Sequence, residues 1–429
     1  MTSTFSRPLL LLLVFGFAAL TAANGLDPII DHDTWWHLRV GQLIDQTGSV
    51  PELDSFSRLS HEQETPWLAY SWLYEWLLYR VYLVAGFPGL LAFRFVLIGL
   101  SSLAILGCVL RRGDGALKNV LVLALTAVVL IPFARERPWH FTMAATAWTL
   151  LAVERLRNGE PWQRYWWLTV VFVLWANIHI QIVLGFGIVG LACLFPGKAK
   201  RWHAFAVFGA CLLAASCNPY HVRLVGVIWD YATQAVALRL VLELAPPSFE
   251  VVSTWGVLLL LLAAVVQVRQ RKRVDWFELL LLLTALLFSL RMRRDIWFGA
   301  LVSGYVLRAV PERLRSWQAW PELTIAASAL LLCVVQIVLN PAGKREREQS
   351  RVFPTAAVQA IREQQLTGPM FNTFDWGGYL IWALPEHPVS IDGRTNLYGN
   401  ARMLRHEQTW NAREGWETHP DLTSANFAI

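Results

Sequence analysis

Long apolar runs recur along almost the whole chain, and that recurrence constrains what it can fold into more than any other feature. They fall at 8–23, 89–110, 117–133, 139–153, 165–178, 181–195, 204–217, 251–267, 276–290, 296–310 and 322–340. About eleven segments close to the ~20 residues that span a bilayer predict a polytopic α-helical membrane protein. Composition agrees: 55% of residues are hydrophobic and only 16% charged, where soluble domains carry about 25% charged residues. The formal net charge of +6 sits in short loops between the runs, so it calls for no nucleic-acid partner.

Those loops also set an orientation. Arg111, Arg112 and Lys118; Arg155, Arg157 and Arg164; Lys198, Lys200 and Arg201; Arg269, Arg271, Lys272 and Arg273; and Arg308, Arg313 and Arg315 fall at every second boundary. Basic residues concentrate on the cytoplasmic side, which predicts a multi-pass protein with its N-terminus inside and its C-terminus outside. The first run reads either as a membrane helix or as a signal peptide cleaved near Ala23, and both readings place residues 25–87 outside. The expected organisation is a transmembrane domain over 1–340, with 25–87 as its first outer loop, and a small extracytoplasmic α/β segment over 341–429. Cys108, Cys193, Cys211, Cys217 and Cys333 show no paired spacing, so neither a disulfide framework nor a Cys-ligated metal is indicated. The 22 tryptophans suit membrane-interface belts and sugar-stacking surfaces equally well.

The outward boundaries are chemically different. Two arginine clusters, Arg135 with Arg137 and Arg291 with Arg293 and Arg294, break the positive-inside trend. An anionic headgroup or phosphate is the economical partner for charge at that level, and ordinary snorkelling of long side chains is the plainer alternative. His140, Asn177, His179, Gln181 and Asn218 lie at breaks between runs on the same side, where such groups line polar cavities or cap helix ends. The aromatic segment 67–83 suits a helix lying in the membrane interface.

In the first outer loop, Asp31-His-Asp-Thr-Trp-Trp-His37 opens a helical pattern that reaches about Gln46. At ~100° per residue, Asp33 and His37 share an arc with Trp36, Val40, Leu43 and Ile44. Polar groups on an apolar face need partners or a task. Asp33 is a good N-cap for this helix; a cap explains one acid but not Asp31, Asp33 and His37 together. Their mixed oxygen and nitrogen set, with His32, suits a divalent metal, although no spacing signature marks one. In the tail, 354–365 reads as a helix, and 369–399 as strand, turn, helix, strand and turn. Asp375-Trp-Gly-Gly378 and Asp392-Gly-Arg394 sit at expected strand ends, as binding groups or as tight turns.

These segments, with Trp175-Ala-Asn-Ile-His179, Asn218-Pro-Tyr220 and Tyr379-Leu-Ile-Trp382, resemble a group of bacterial multi-spanning proteins placed in the GT-C glycosyltransferase superfamily. That superfamily includes protein O-mannosyltransferases and the aminoarabinose transferases of lipid A. The resemblance implies a GT-C-like fold in the bacterial plasma membrane and transfer of a sugar from a polyprenyl-phosphate carrier to a lipid, glycan or protein acceptor outside. It implies an acid of the first outer loop as catalytic base, matched here by Asp31 or Asp33. Displacing a phosphate from an anomeric carbon also needs charge held on the leaving group, a role for Arg135, Arg137, Arg291, Arg293 or Arg294. Asp375, Asp392 and Arg394 are candidates for acceptor binding. A transporter or flippase of a lipid-linked or polar solute, and a non-catalytic envelope assembly protein, are the competing readings; the absence of a visible internal repeat weighs against the first.

Overall fold

The computed structural model describes Phe17 and residues 28–109, 116–308 and 342–429. Apart from Phe17, the expected runs at 8–23 and 322–340, the cleavage region, Arg111, Arg112, Arg313, Arg315 and Cys333 lie outside the described residues. The described chain is helical throughout, with one pair of two-residue strands. It divides into two compact units, each drawn from separate stretches: Met1–Leu26, Arg94–Asn218 and Leu242–Gln336 in the first, and Asp27–Phe93, Pro219–Val241 and Ile337–Ile429 in the second.

The first unit is a bundle of apolar helices. Ala116–Leu130, Trp139–Arg157, Trp167–Ile178, Val183–Leu194, Arg201–Ala215, Val252–Arg269, Trp276–Arg291 and Ile296–Leu307 follow the expected runs. Every residue of Ile296–Leu307 is buried, so this helix forms the core. Close packing around it relies on small residues: a Cβ on Gly299 would lie 2.2 Å from Ser289 Oγ, and one on Gly185 2.6 Å from the Trp175 ring. Val252–Arg269 buries one stripe that includes Val257, Leu260, Leu261 and Ala264, while Trp255, Leu259, Leu262 and Val266 stay exposed. The polar boundaries named from the sequence are 3-10 turns: Ile131–Phe133, Ile180–Ile182 and, after Met292, Arg293–Asp295. Basic residues at the opposite ends have acidic partners. Arg157 donates to Asp275 at 2.8 Å, and Arg271 pairs with Glu278 and Arg308 with Glu154.

By length and composition, two described helices are sufficient to cross a membrane, Trp72–Val109 and Val252–Arg269. The sequence led us to expect about eleven spans. The difference is physical: several runs become helices of 12 to 16 residues that begin or end at a 3-10 turn, ~18–24 Å long at 1.5 Å per residue. Trp72–Val109 is also less continuous than its length suggests. Gly86 leaves the helical region at φ 58°, which only glycine adopts without strain, and Pro88 follows. This kink separates the aromatic segment from the apolar run expected at 89–110.

The second unit is built on the opening helix, His32–Thr47, whose C-terminus closes on Gly48 in the left-handed conformation. Trp36, Val40 and Ile44 from this helix pack with Trp67, Ile361, Met370, Leu380 and Val389. The expected helix at 354–365 is Thr355–Glu363. The expected α/β character is reduced to a parallel pair, β1 (Met370–Phe371) and β2 (Phe427–Ala428). The stretch expected as a second tail strand forms a single parallel bridge, Ser57 to Val389, and then leads into the helix Thr395–Trp410.

Candidate functional site

The second unit gathers the Asp31–His37 motif and the motifs of the tail. Asp31, rather than Asp33, is the N-cap of the opening helix: its Oδ1 accepts from the Asp33 backbone N–H at 2.9 Å. Asp33 therefore stands in the first helical turn, partly exposed, where the helix N-terminus favours negative charge. His32 Nδ1 donates to the Asp375 carbonyl at 2.7 Å. The three glycines of the tail motifs explain the close fit. A Cβ on Gly378 would lie 2.5 Å from the His32 carbonyl oxygen, one on Gly377 2.1 Å from the Ile391 carbonyl oxygen, and one on Gly393 2.4 Å from Asp33 Oδ1. Gly377 has ordinary helical angles, φ −53° and ψ −45°, so this glycine serves close approach rather than turn chemistry.

His37 points to a partner that the sequence reading did not name. Its Nδ1 lies 3.0 Å from Oε1 of Glu75, both side chains are buried, and the Trp36 ring stacks on the imidazole at 3.6 Å. The second oxygen of Glu75 makes no hydrogen bond. An acid inside the aromatic run Trp72-Leu-Tyr-Glu-Trp76 was the available signal. His37 faces Glu75, Asp31 caps the helix and His32 is held by Asp375, so these groups do not converge as one ligand set. Among the described residues no group of three or more His, Cys, Asp or Glu side chains is placed to hold a metal ion.

Asp392 and Arg394 belong to a closed ionic cluster. Arg394 donates to Asp392 Oδ2 and to Asp54 Oδ1, each at 2.7 Å, with all three side chains at most 1% exposed. Tyr398 donates to Asp392 at 2.5 Å, and the guanidinium lies over the Trp67 ring at 4.7 Å. Burial alone would raise the Asp54 carboxyl, but Arg394, the Ser57 hydroxyl and the Phe56 N–H hold it down to about 2. The same two carboxylates outweigh the burial cost on Arg394 and push its pKa higher still. With every strong donor and acceptor matched, this cluster clamps the tail to residues 54–57 and offers no vacancy for an acceptor.

The first unit holds the two arginine clusters. A cavity of about 240 Å³ is lined by apolar residues including Phe133, Trp139, Leu242 and Val251, by Arg293 and Arg294, and by Glu243 and three hydroxyl side chains. The turn that carries the arginines is fixed by backbone bonds from Arg293 N–H to Ala245 and from Arg294 N–H to Glu243, at 2.9 and 3.0 Å. Arg293 Nε donates to the Pro246 carbonyl at 3.1 Å, while Nε of Arg294 is buried without a hydrogen-bond partner. Arg137 lies over Trp139 at 5.2 Å and reaches Glu243, a lining residue, at 3.5 Å. Of the five arginines, Arg293 and Arg294 line this cavity, Arg137 touches two of its lining residues, and Arg135 and Arg291 are outside the lining. Glu136, between Arg135 and Arg137, forms a fully buried pair with Arg94 at 2.6 Å.

The other polar candidates serve mainly as local supports. Asn177 donates to the Val173 and Cys217 carbonyls, and Asn218 to that of Ala215. His140 Nε2 donates to the Arg135 carbonyl at 3.0 Å, and His179 Nδ1 meets the Thr142 hydroxyl at 2.7 Å. Gln181 donates to Asp295 at 2.7 Å. No family model and no curated protein matches this chain.

Proposed function

We propose that this chain is a multi-spanning membrane glycosyltransferase of the GT-C type, with a polyprenyl-phosphate sugar as donor and its chemistry at the outer face of a bacterial plasma membrane. The observation that carries the reading is the cavity at Arg293 and Arg294. Guanidinium groups at the rim of a mainly apolar cavity suit an amphiphile with an anionic head and a hydrocarbon tail, since Arg binds phosphate through matched, charge-assisted hydrogen bonds. Helices such as Val252–Arg269, apolar on the exposed side as well as the buried one, support placement in lipid.

In this reading Asp33 is the base, because Asp31 is committed to the cap. The acceptor hydroxyl oxygen attacks the anomeric carbon and its proton passes to the Asp33 carboxylate. The bond from that carbon to the phosphate oxygen breaks, and the electron pair leaves with the lipid phosphate. The test is transfer from a radiolabelled polyprenyl-phosphate sugar pool by the full chain in nanodiscs. Asp33→Asn is expected to abolish transfer while the protein still inserts and binds the carrier lipid. Full activity in an Asp31→Asn/Asp33→Asn double variant would overturn the assignment, and solute movement without chemical change would favour a transporter.

A further inference from the structure

The second unit contains another cavity that none of these roles uses. It encloses about 170 Å³ between Thr373, Asp375, His406, Glu407, Trp410 and Asn411. Sites for drug-sized ligands run to about 300–1,000 Å³, so this one suits a single ring rather than a chain. One wall is an aromatic stack: Trp410 lies parallel to His406 at 6.5 Å and to Phe371 at 6.1 Å, and is 45% exposed.

His406 is the informative residue. It is 3% exposed, and neither ring nitrogen makes a hydrogen bond of good geometry, the Asn372 backbone giving at most a weak one. Burial, then the neighbouring His419 and Arg402, lower it to about 3, against a weaker pull from the Asn372 backbone. At neutral pH it is an uncharged imidazole that offers one donor and one acceptor, and leaving these poorly matched inside a protein is costly. Around it stand the Asp375 and Glu407 carboxylates and the Asn411 amide. Glu407 is already paired with Arg413 at 2.9 Å, and Arg402 bears on His406. The site therefore lacks the net negative charge that would select an amine, and its carboxylates disfavour an anion.

We propose that this cavity binds one neutral sugar ring, with its C–H face on Trp410 and its hydroxyls on His406, Asp375, Glu407 and Asn411. The electron-rich face of an indole attracts the weakly positive C–H edge of a pyranose. Carboxylate, amide and neutral imidazole together match a set of hydroxyls that both donate and accept. This holds whether or not the chain transfers sugar, since it concerns recognition at a separate cavity.

The test is saturation-transfer NMR on the full chain in nanodiscs. The probes are the methyl glycosides of glucose, galactose, mannose and N-acetylglucosamine, with spermidine and inorganic phosphate for comparison. At least one glycoside is expected to receive saturation, with binding about tenfold weaker or worse in Trp410→Ala and in His406→Phe, and several-fold weaker in Asp375→Asn. Trp410 and Asp375 are exposed, so those two variants keep the test informative if His406→Phe fails to fold. Saturation of no glycoside, or of spermidine or phosphate instead, would overturn the proposal. So would glycoside binding unchanged in both Trp410→Ala and Asp375→Asn.

Discussion

Arg394 and the pair Arg293/Arg294 carry the same guanidinium chemistry in opposite settings. Arg394 is closed in by two carboxylates and an indole face, with its side chain 1% exposed. Arg293 and Arg294 stand at a mainly apolar cavity, bonded chiefly through their backbones and carrying an unmatched Nε. A buried arginine whose charge is already balanced is a fastener. An arginine held in place by its backbone beside a cavity is, in the function proposed above, the group that receives the phosphate. Charge near a motif therefore says little about function until its partners are known; the sequence suggested Arg394 for acceptor binding and Arg293 and Arg294 for the leaving phosphate without revealing those partners.

The comparison can be broken at several strengths. The largest effect is expected for Arg394→Met, which leaves Asp54 and Asp392 buried without their cation. Loss of one partner from such a cluster costs about 3–5 kcal/mol, read as a lower unfolding midpoint in chemical denaturation. Gly377→Ala should follow at roughly 1–3 kcal/mol, because its Cβ would meet the Ile391 carbonyl and the backbone must shift. Gly393→Ala presses on Asp33 Oδ1 instead, so transfer should fall further than stability does.

Acid sharpens the contrast next. Asp54 is depressed from 3.8 to about 2, so its unfolded form binds the proton more readily than its folded form. That stabilisation, on the order of 2 kcal/mol, is present above about pH 4 and is lost as pH falls through about 2. Asp54→Asn should remove this part of the acid slope. His406, lowered to about 3, acts in a higher window: stability declines as pH falls below its unfolded value near 6.5, and His406→Gln should flatten that portion. The smallest stability effect is expected for Arg293→Ala with Arg294→Ala, within about 1 kcal/mol, although lipid binding should be lost.

Much of the second unit could be read from local pattern. The 3.6-residue period gave the opening helix and the apolar set Trp36, Val40 and Ile44, all buried in the core. The cap was misplaced by two residues because Asp31 and Asp33 both satisfy the residue preference, and only backbone angles distinguish them. Glu75 and Asp54 escaped notice for a different reason: their partners His37 and Arg394 are 38 and 340 residues away, and no periodicity reports such pairs. The tail's Gly-Gly and Asp-Gly steps read equally as turns or binding loops, yet they mark places where another backbone or Asp33 comes within a Cβ's reach. In the first unit, the polar breaks were legible because charge and amide interrupt apolar runs. The cavity was not, since it needs the loop 242–254 folded against Trp139 and Ile296.

Retention of a polyprenyl phosphate by the purified chain tests the account most directly. Native mass spectrometry of the protein in nanodiscs supplied with polyprenyl monophosphate should show a bound lipid in the wild type and in Asp33→Asn. The adduct should be lost in the Arg293→Ala/Arg294→Ala variant. No adduct in the folded wild type, or one that persists unchanged without those two arginines, would contradict the assignment of this cavity and the transferase reading built on it.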